Sequence, residues 1–195
     1  MGHSRADKQK THRRIVAIAA KRFRERGLDG IGIADVMKEA GLTVGGFYKH
    51  FGSRDELVAE ALASSVSTQR KRAEAAAAAG APRSYEQMVA DYLCEEHRDS
   101  PGTGCVFAAL GPDIGRSGKA TRAVATERIR KNVDSFATAW GGKDKQAARA
   151  GGIVTLSALV GAMVLARTAS DDSLSREILN TVAQYLKDRR PVGAR

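Results

Sequence analysis

The sequence predicts an all-α protein with a small N-terminal three-helix unit and a larger C-terminal helical body. Three observations lead there. Apolar residues recur at helical spacing along nearly the whole chain, no stretch alternates with period two long enough for a strand, and glycine or proline closes the helical runs at short intervals. No internal repeat is visible.

The elements follow in order. Ile15, Ile18, Ala19, Arg22 and Phe23 take i, i+3, i+4, i+7, i+8 positions, widened by Val16 and Ala20. Lys21, Arg24, Glu25 and Arg26 cover the outer face, and Gly27 stops the helix. Ile33 to Ala40 ends at Gly41, and Val44 to Phe51 ends at Gly52. These three segments with their tight turns occupy residues 1–52. Ser53 and Glu56 form the S-x-x-E of a capping box that opens the next helix, through Leu57, Val58, Ala61 and Leu62. That helix is expected to run on to Ala79, with Gly80 and Pro82 closing it, and to join the first unit to a body spanning residues 53–195.

Within the body, Ser84 starts a helix (Tyr85, Met88, Val89, Tyr92, Leu93) expected to end near Asp99. A short irregular helix from Cys105 to Ile114 is punctuated by Gly111 and Pro112. Ala120 to Trp140 ends at Gly141-Gly142, and Lys145 to about Ser170 is alanine-rich and then strongly apolar. In the last helix Leu174, Ile178, Val182 and Leu186 repeat every four residues, with Leu179 and Tyr185 beside them.

With 195 residues, 43% of them hydrophobic, the chain buries one sizeable core and a small second one. Thirty-two Lys and Arg against 22 Asp and Glu leave a formal charge of +10, which attracts polyanions without specifying a fold. Cys94 and Cys105 are too few for a disulfide scaffold. Cys94 and His97 do not close a tetrahedral zinc site, so neither metal nor cofactor is expected. The N-terminus carries charges and no apolar run, and Ile153 to Ala166 falls short of the ~20 residues that span a bilayer. A cytoplasmic protein with no membrane partner is the expectation. No Cys-His or Ser-His-Asp constellation supports catalysis, so the chain is not expected to be an enzyme.

The informative stretch is Ile31 to Leu57, IGIADVMKEAGLTVGGFYKHFGSRDEL, and it fits a helix-turn-helix. Ile33, Val36 and Met37 pack one helix on the core, and Gly41 makes a tight turn with a positive φ. Thr43 stands at the N-cap of the second helix, while Gly45 and Gly46 strip its tip of side chains and allow close approach to a groove. Tyr48, Lys49 and His50 supply donors suited to DNA backbone and base edges.

The run A-G-L-T-V-G-G-F-Y-K-H-F followed by S-R-D-E-L resembles the recognition element of the TetR family of repressors, roughly A-G-V-S-x-G-x-L/F-Y-x-H-F-x-S-K-x-x-L. The resemblance implies a DNA-binding domain at 1–52 and a ligand-binding and dimerisation domain at 53–195. It assigns Thr43 to a cap and phosphate contact and Tyr48 to a phosphate. Val44, Gly45 and Lys49 face the groove, His50 lies at its backbone edge, and Arg54 stands near phosphate where the family usually has Lys. Two positions depart from the pattern. Gly32 replaces a usual Thr or Ser, and the double glycine removes a base-reading side chain, leaving specificity to Val44, Lys49 and DNA shape. Arg5, Lys8, Lys10, Arg13 and Arg14 precede the motif as further candidates for phosphate contact.

One such motif covers only about 4–6 base pairs, so a homodimer on a palindromic double-stranded operator is expected. The candidate dimer surface is the last two helices, with small Ser157 and Gly161 and the stripe Leu174, Ile178, Val182, Leu186. The resemblance also implies an effector site in the body, of an unidentified small molecule, for which Met88, Tyr92, Cys105, Phe107, Trp140 and Met163 are the candidate lining residues. Cys105 stands where a helix begins, which favours a thiolate, so a thiol-reactive signal with Cys94 as resolving partner is the alternative effector. The expected function is a ligand-responsive repressor; an activator or a nucleoid-type binder with little sequence preference is the rival.

Overall fold

The computed structural model of the protein describes residues 5–64, 75, 78–80 and 83–189. Among these residues every regular element is a helix. They pack as two units, one within residues 1–65 and 109–125, the other within 66–108 and 126–195.

In the first unit, α1 (Arg5–Arg26) packs on α2 (Ile33–Glu39) and on α3 (Arg54–Ser64). Between α2 and α3 lies a 3-10 helix, Val44–Lys49. The expected stripe of α1 is the one buried, through Ile15, Val16, Ala19, Ala20 and Phe23. Arg24, expected on the outer face, is buried as well. Arg22 pins α1 to α2 by donating to Glu39 at 2.7 Å and to Glu25 at 2.7 Å, which holds the Glu39 carboxyl below its ordinary value. Asp113 accepts from the Leu28 amide at 3.1 Å and so fixes the turn that follows α1.

Gly41 takes φ +68 between α2 and the 3-10 helix, and the Gly41 and Leu42 amides return to Lys38 and Met37 carbonyls at 2.9 Å each. A side chain at that φ is strained, so this tight turn requires glycine. The expected box at the next helix forms in altered shape. Ser53 Oγ accepts from the Glu56 amide at 3.1 Å, and Glu56 reaches back to the Gly52 amide, one residue earlier than a standard box. The expected continuation of α3 through 65–74 lies outside the described residues.

The second unit contains α4 (Tyr85–Tyr92), α5 (Glu95–Asp99), the first turn of α6 (Val106–Arg116), most of α7 (Lys119–Trp140), α8 (Lys145–Thr168) and α9 (Asp172–Asp188). Ser84 and Gln87 cap α4 reciprocally. The single helix expected from Ser84 to Asp99 is instead two. Leu93 leaves helical geometry and extended Cys94 caps α5. The break orphans the Tyr92 carbonyl, and His97 supplies the replacement bond, Nδ1 to that oxygen at 2.7 Å. Conversely, α6 runs unbroken through Gly111 and Pro112, where punctuation was expected.

Asp144 caps α8 by accepting from Gln146 and Ala147 amides, and Asp171 caps α9 through the Ser173 amide. Gly151 and Gly152 let α8 meet α7 closely. A Cβ at Gly152 would stand 2.6 Å from the Val133 carbonyl oxygen, and one at Gly151 2.5 Å from the Trp140 ring. By length and composition α8 could cross a bilayer, but its face of Thr155, Leu156, Leu159, Ala162, Met163 and Ala166 is buried in the core. The Tyr85 hydroxyl bonds Thr155 Oγ1 at 2.8 Å inside that core.

Candidate nucleic-acid interface

The 3-10 helix is built as a blunt, exposed tip on two buried anchors. Phe47 is 0% exposed and Phe51 1%, with ring centroids 5.3 Å apart. Between them in sequence Tyr48 is 72% exposed, and Val44 is 50% exposed. The tip thus presents one aromatic side chain to solvent beside two fully buried ones. Thr43, Gly45 and Lys49 are exposed too, and a Cβ at Gly45 would meet nothing within 4 Å. The absent side chain there leaves room for a partner instead of relieving an internal clash.

Six of the seven expected DNA-facing residues therefore line one end of the unit: Thr43, Val44, Gly45, Tyr48, Lys49 and, half-buried, His50. Thr43 holds the N-cap position with extended backbone, yet its side chain makes no capping bond. The α-helix expected over Val44 to Phe51 is a 3-10 turn, because glycines at its start and the Phe47 and Phe51 anchors pull the segment into a tighter path. Arg54 turns inward. Its guanidinium donates to the Leu28 carbonyl and sits 5.7 Å from the Phe23 ring centroid, so it braces α3 on the turn after α1. Gly32 occupies the N-cap of α2 with no side chain to offer, and Asp35 compensates by accepting from the Gly32 amide at 3.2 Å.

Lys8, Lys10, Arg13 and Arg14 lie exposed on α1, as does Arg5 at its start. These cations are spread around the N-terminal half of the helix. Sequence reasoning missed the partners of His50. Burial, then the charges of His12, Lys8 and Lys49, hold the His50 imidazole below its ordinary value, and its buried Nδ1 has no hydrogen-bond partner among the described residues. His12, on α1, stacks on Phe51 at 4.5 Å.

In the second unit Tyr92, Cys105 and Met163 are buried in the core, with Met88, Phe107 and Trp140 packed half-buried against it. His97 ties two segments of the chain together: the Cys105 amide donates to its Nε2 at 2.9 Å while Nδ1 donates to the Tyr92 carbonyl oxygen. Burial above all pushes His97 down to about 4, so the ring is neutral at physiological pH. The Tyr92 hydroxyl has no hydrogen-bond partner among the described residues, and burial beside the Cys105 thiol holds it well above its ordinary value. A polar cavity of 290 Å³ lies elsewhere, among Arg98, Asp99, Arg167, Asp172 and Ser175. Among the described residues no cluster of His, Cys, Asp and Glu is arranged to hold a metal ion.

Of the expected dimer residues, Ser157, Gly161 and Leu174 are exposed, Ile178 and Val182 are half-buried, and Leu186 is buried in the core at 2% exposure. The gradient is geometric. Each step of four residues overshoots a helical turn by about 40°, so a strict four-residue repeat winds from one face of α9 to another. Leu186 packs inside its own unit. Ile153, Val154, Val164 and Leu165 of α8, and Tyr185 of α9, are large apolar side chains left exposed.

Residues 15–61 match the family model of bacterial regulatory proteins of the tetR family. No curated protein matches the chain in sequence. Solved structures do. A TetR transcriptional regulator from Legionella pneumophila superposes with a TM-score of 0.74 at 15% identity, over 98% of this chain and 100% of that one. The reduced form of NemR from Escherichia coli gives 0.70 at 17% identity, over 94% and 99%. A TetR-family regulator from Cytophaga hutchinsonii gives 0.73 at 18%, over 96% and 98%. Residues 15–61 thus resemble the N-terminal domain of the tetR family, on a chain that has the fold of these solved TetR regulators along nearly its full length.

Proposed function

We propose that the protein is a repressor that binds a palindromic operator as a homodimer and releases it when an effector reaches the second unit. The observation that carries the reading is the exposed Val44–Lys49 tip, with Tyr48 and Lys49 free for phosphate and groove. Cations along α1 and the formal charge of +10 supply the sequence-independent part of the affinity. Thr43 and Tyr48 hold phosphates, Val44, Gly45 and Lys49 enter the major groove, and His50 sits at its edge. Arg54 acts from beneath, through the α3 brace.

Two copies are joined through the exposed apolar faces of α8 and α9, where Ser157 and Gly161 permit close helix approach beside Leu165 and Leu174. An effector that enters the core around Tyr92, Cys105 and Met163 has the Tyr92 hydroxyl as a polar group to satisfy, with Met88, Phe107 and Trp140 as adaptable walls. A thiol-reactive signal would modify Cys105; a Cys105→Ser protein that leaves DNA normally under peroxide, quinone and aldehyde removes that form of the effector. A regulator of this kind works beside the chromosome, in the cytoplasm.

The test is selection of bound fragments from the source genome by the purified protein. Recovered sites are expected to contain two half-sites spaced by about one helical turn or a multiple of it. Tyr48→Ala should weaken binding to all duplexes about tenfold, whereas Lys49→Ala should also relax preference, by about 1–3 kcal/mol at the base it reads. Unaltered affinity in both variants, or recovery of fragments with no shared sequence, overturns the reading.

A further inference from the structure

The recognition tip is a 3-10 helix of six residues, tied to its flanks by a few backbone bonds. The Gly46 amide returns to Thr43 oxygen at 3.0 Å, and the His50 and Phe51 amides return to Phe47 oxygen at 2.8 and 3.0 Å. Thr43 adds no side-chain cap. Six residues of 3-10 helix are long for this geometry, whose hydrogen bonds are poorer than those of an α-helix, so packing from outside holds the tip. At the front, Phe47 and Met37 do this from the core. At the back, the outer face of Phe51 is covered by the His12 ring at 4.5 Å and 28°. His12 is itself fixed: Glu60 on α3 accepts a hydrogen bond from its Nε2 at 2.6 Å, a charge-assisted length. His50 lies 5.9 Å from His12, ring to ring.

We infer that His12 and Glu60 form a clasp between α1 and α3 that positions the rear of the recognition tip, and with it His50, for DNA. This deepens the DNA-binding reading and rests on it, because it gives a task to two residues that the tip itself does not contain. Both are positioning residues: Glu60 bears the wrong sign to meet phosphate, and His12 spends its donor on Glu60. The groups around the clasp are Lys8 on α1, Lys49 and His50 on the tip, and Glu60 on α3. The Glu60 carboxylate holds the His12 ring in place over Phe51.

Amide hydrogen exchange on the free protein and operator affinity on the complex decide it together. Glu60→Ala and His12→Ala should speed exchange at the His50 and Phe51 amides at least tenfold, with Ile15 and Phe23 amides unchanged. The same variants should lose five- to twentyfold in affinity with an unaltered slope of log affinity on log salt, since no phosphate contact is removed. Glu60→Gln, which keeps an acceptor, should restore both readouts, and His12→Phe, which keeps the stack but drops the bond, should fall between. Exchange at His50 and Phe51 that stays at wild-type rates overturns the clasp. So does a shallower salt slope in His12→Ala, which would make His12 a phosphate contact. Wild-type protein that binds no duplex would sink the DNA reading instead, while the exchange rates still judge the clasp.

Discussion

Single side chains in this protein do their work through the partners they are given. His97 shows it most clearly. With Nε2 accepting from the Cys105 amide and Nδ1 donating to Tyr92 oxygen, only the neutral ring satisfies both bonds. Its folded value of about 4 lies below the ordinary 6.5, so folding stability is complete above the ordinary value and falls as pH drops from there toward 4. The loss integrates to about 3 kcal/mol. Urea denaturation at pH 7.5 and pH 4 should therefore show a difference between wild type and His97→Gln that shrinks on acidification, as the variant lacks this component. His50 follows the same sign, first through burial and then through the neighbouring charges of His12, Lys8 and Lys49. A phosphate beside it would reverse those charges' effect, so operator affinity is expected to rise from pH 8 to pH 6 in wild type and to do so less in His50→Gln. A pH profile of binding at constant salt checks this.

At the scale of elements, close approach decides where helices can meet. Gly152 lies where α8 crosses α7, and a Cβ there would stand within 2.8 Å of two backbone atoms, Val133 O and Ala137 N. Backbone does not yield as a side-chain tip does, so Gly152→Ala should destabilise by about 1–3 kcal/mol despite its gain in helix propensity. Gly111 in α6 has open space at the same position, and Gly111→Ala should stabilise by up to about 1 kcal/mol. Thermal melts of the two variants should move in opposite directions. The helix boundaries obey similar local rules. Gly41, the Ser84–Gln87 box and the Asp144 and Asp171 caps all fall where sequence reading places a stop or a start. The break at Leu93–Cys94 does not, because its compensation comes from His97, a residue whose ring says nothing of its direction until the chain is folded.

For the molecule as a whole, the proposed assembly rests on surface chemistry. Val154, Leu165 and Leu174 are 58%, 59% and 47% exposed on the adjoining helices α8 and α9, large apolar side chains that the proposed dimer would cover. Leu165→Glu should weaken self-association about a hundredfold, since a charge at a buried contact costs several kcal/mol. Sedimentation over a concentration series measures that, and operator binding should lose its cooperativity in parallel. The proposed dimer, presenting two sets of α1 cations, should bind DNA with a steep salt dependence, losing about 10³–10⁵ in affinity between 50 and 200 mM salt.

What the amino-acid sequence determined by itself is whatever depends on neighbours along the chain: the helical period, the caps and glycine stops, and the Ala40–Phe51 motif with its blunt tip. These are local, so spacing and residue type carry them. Only the tertiary structure decided which apolar residues face inward, since Leu174 and Leu186 share one repeat yet end on opposite sides of the balance between water and core. It also decided that Arg54 braces instead of reaching outward, and that His12, thirty-nine residues before Phe51, closes over it with Glu60 behind. Such pairings are made by distance in space, and a period of 3.6 residues says nothing about which two helices will meet.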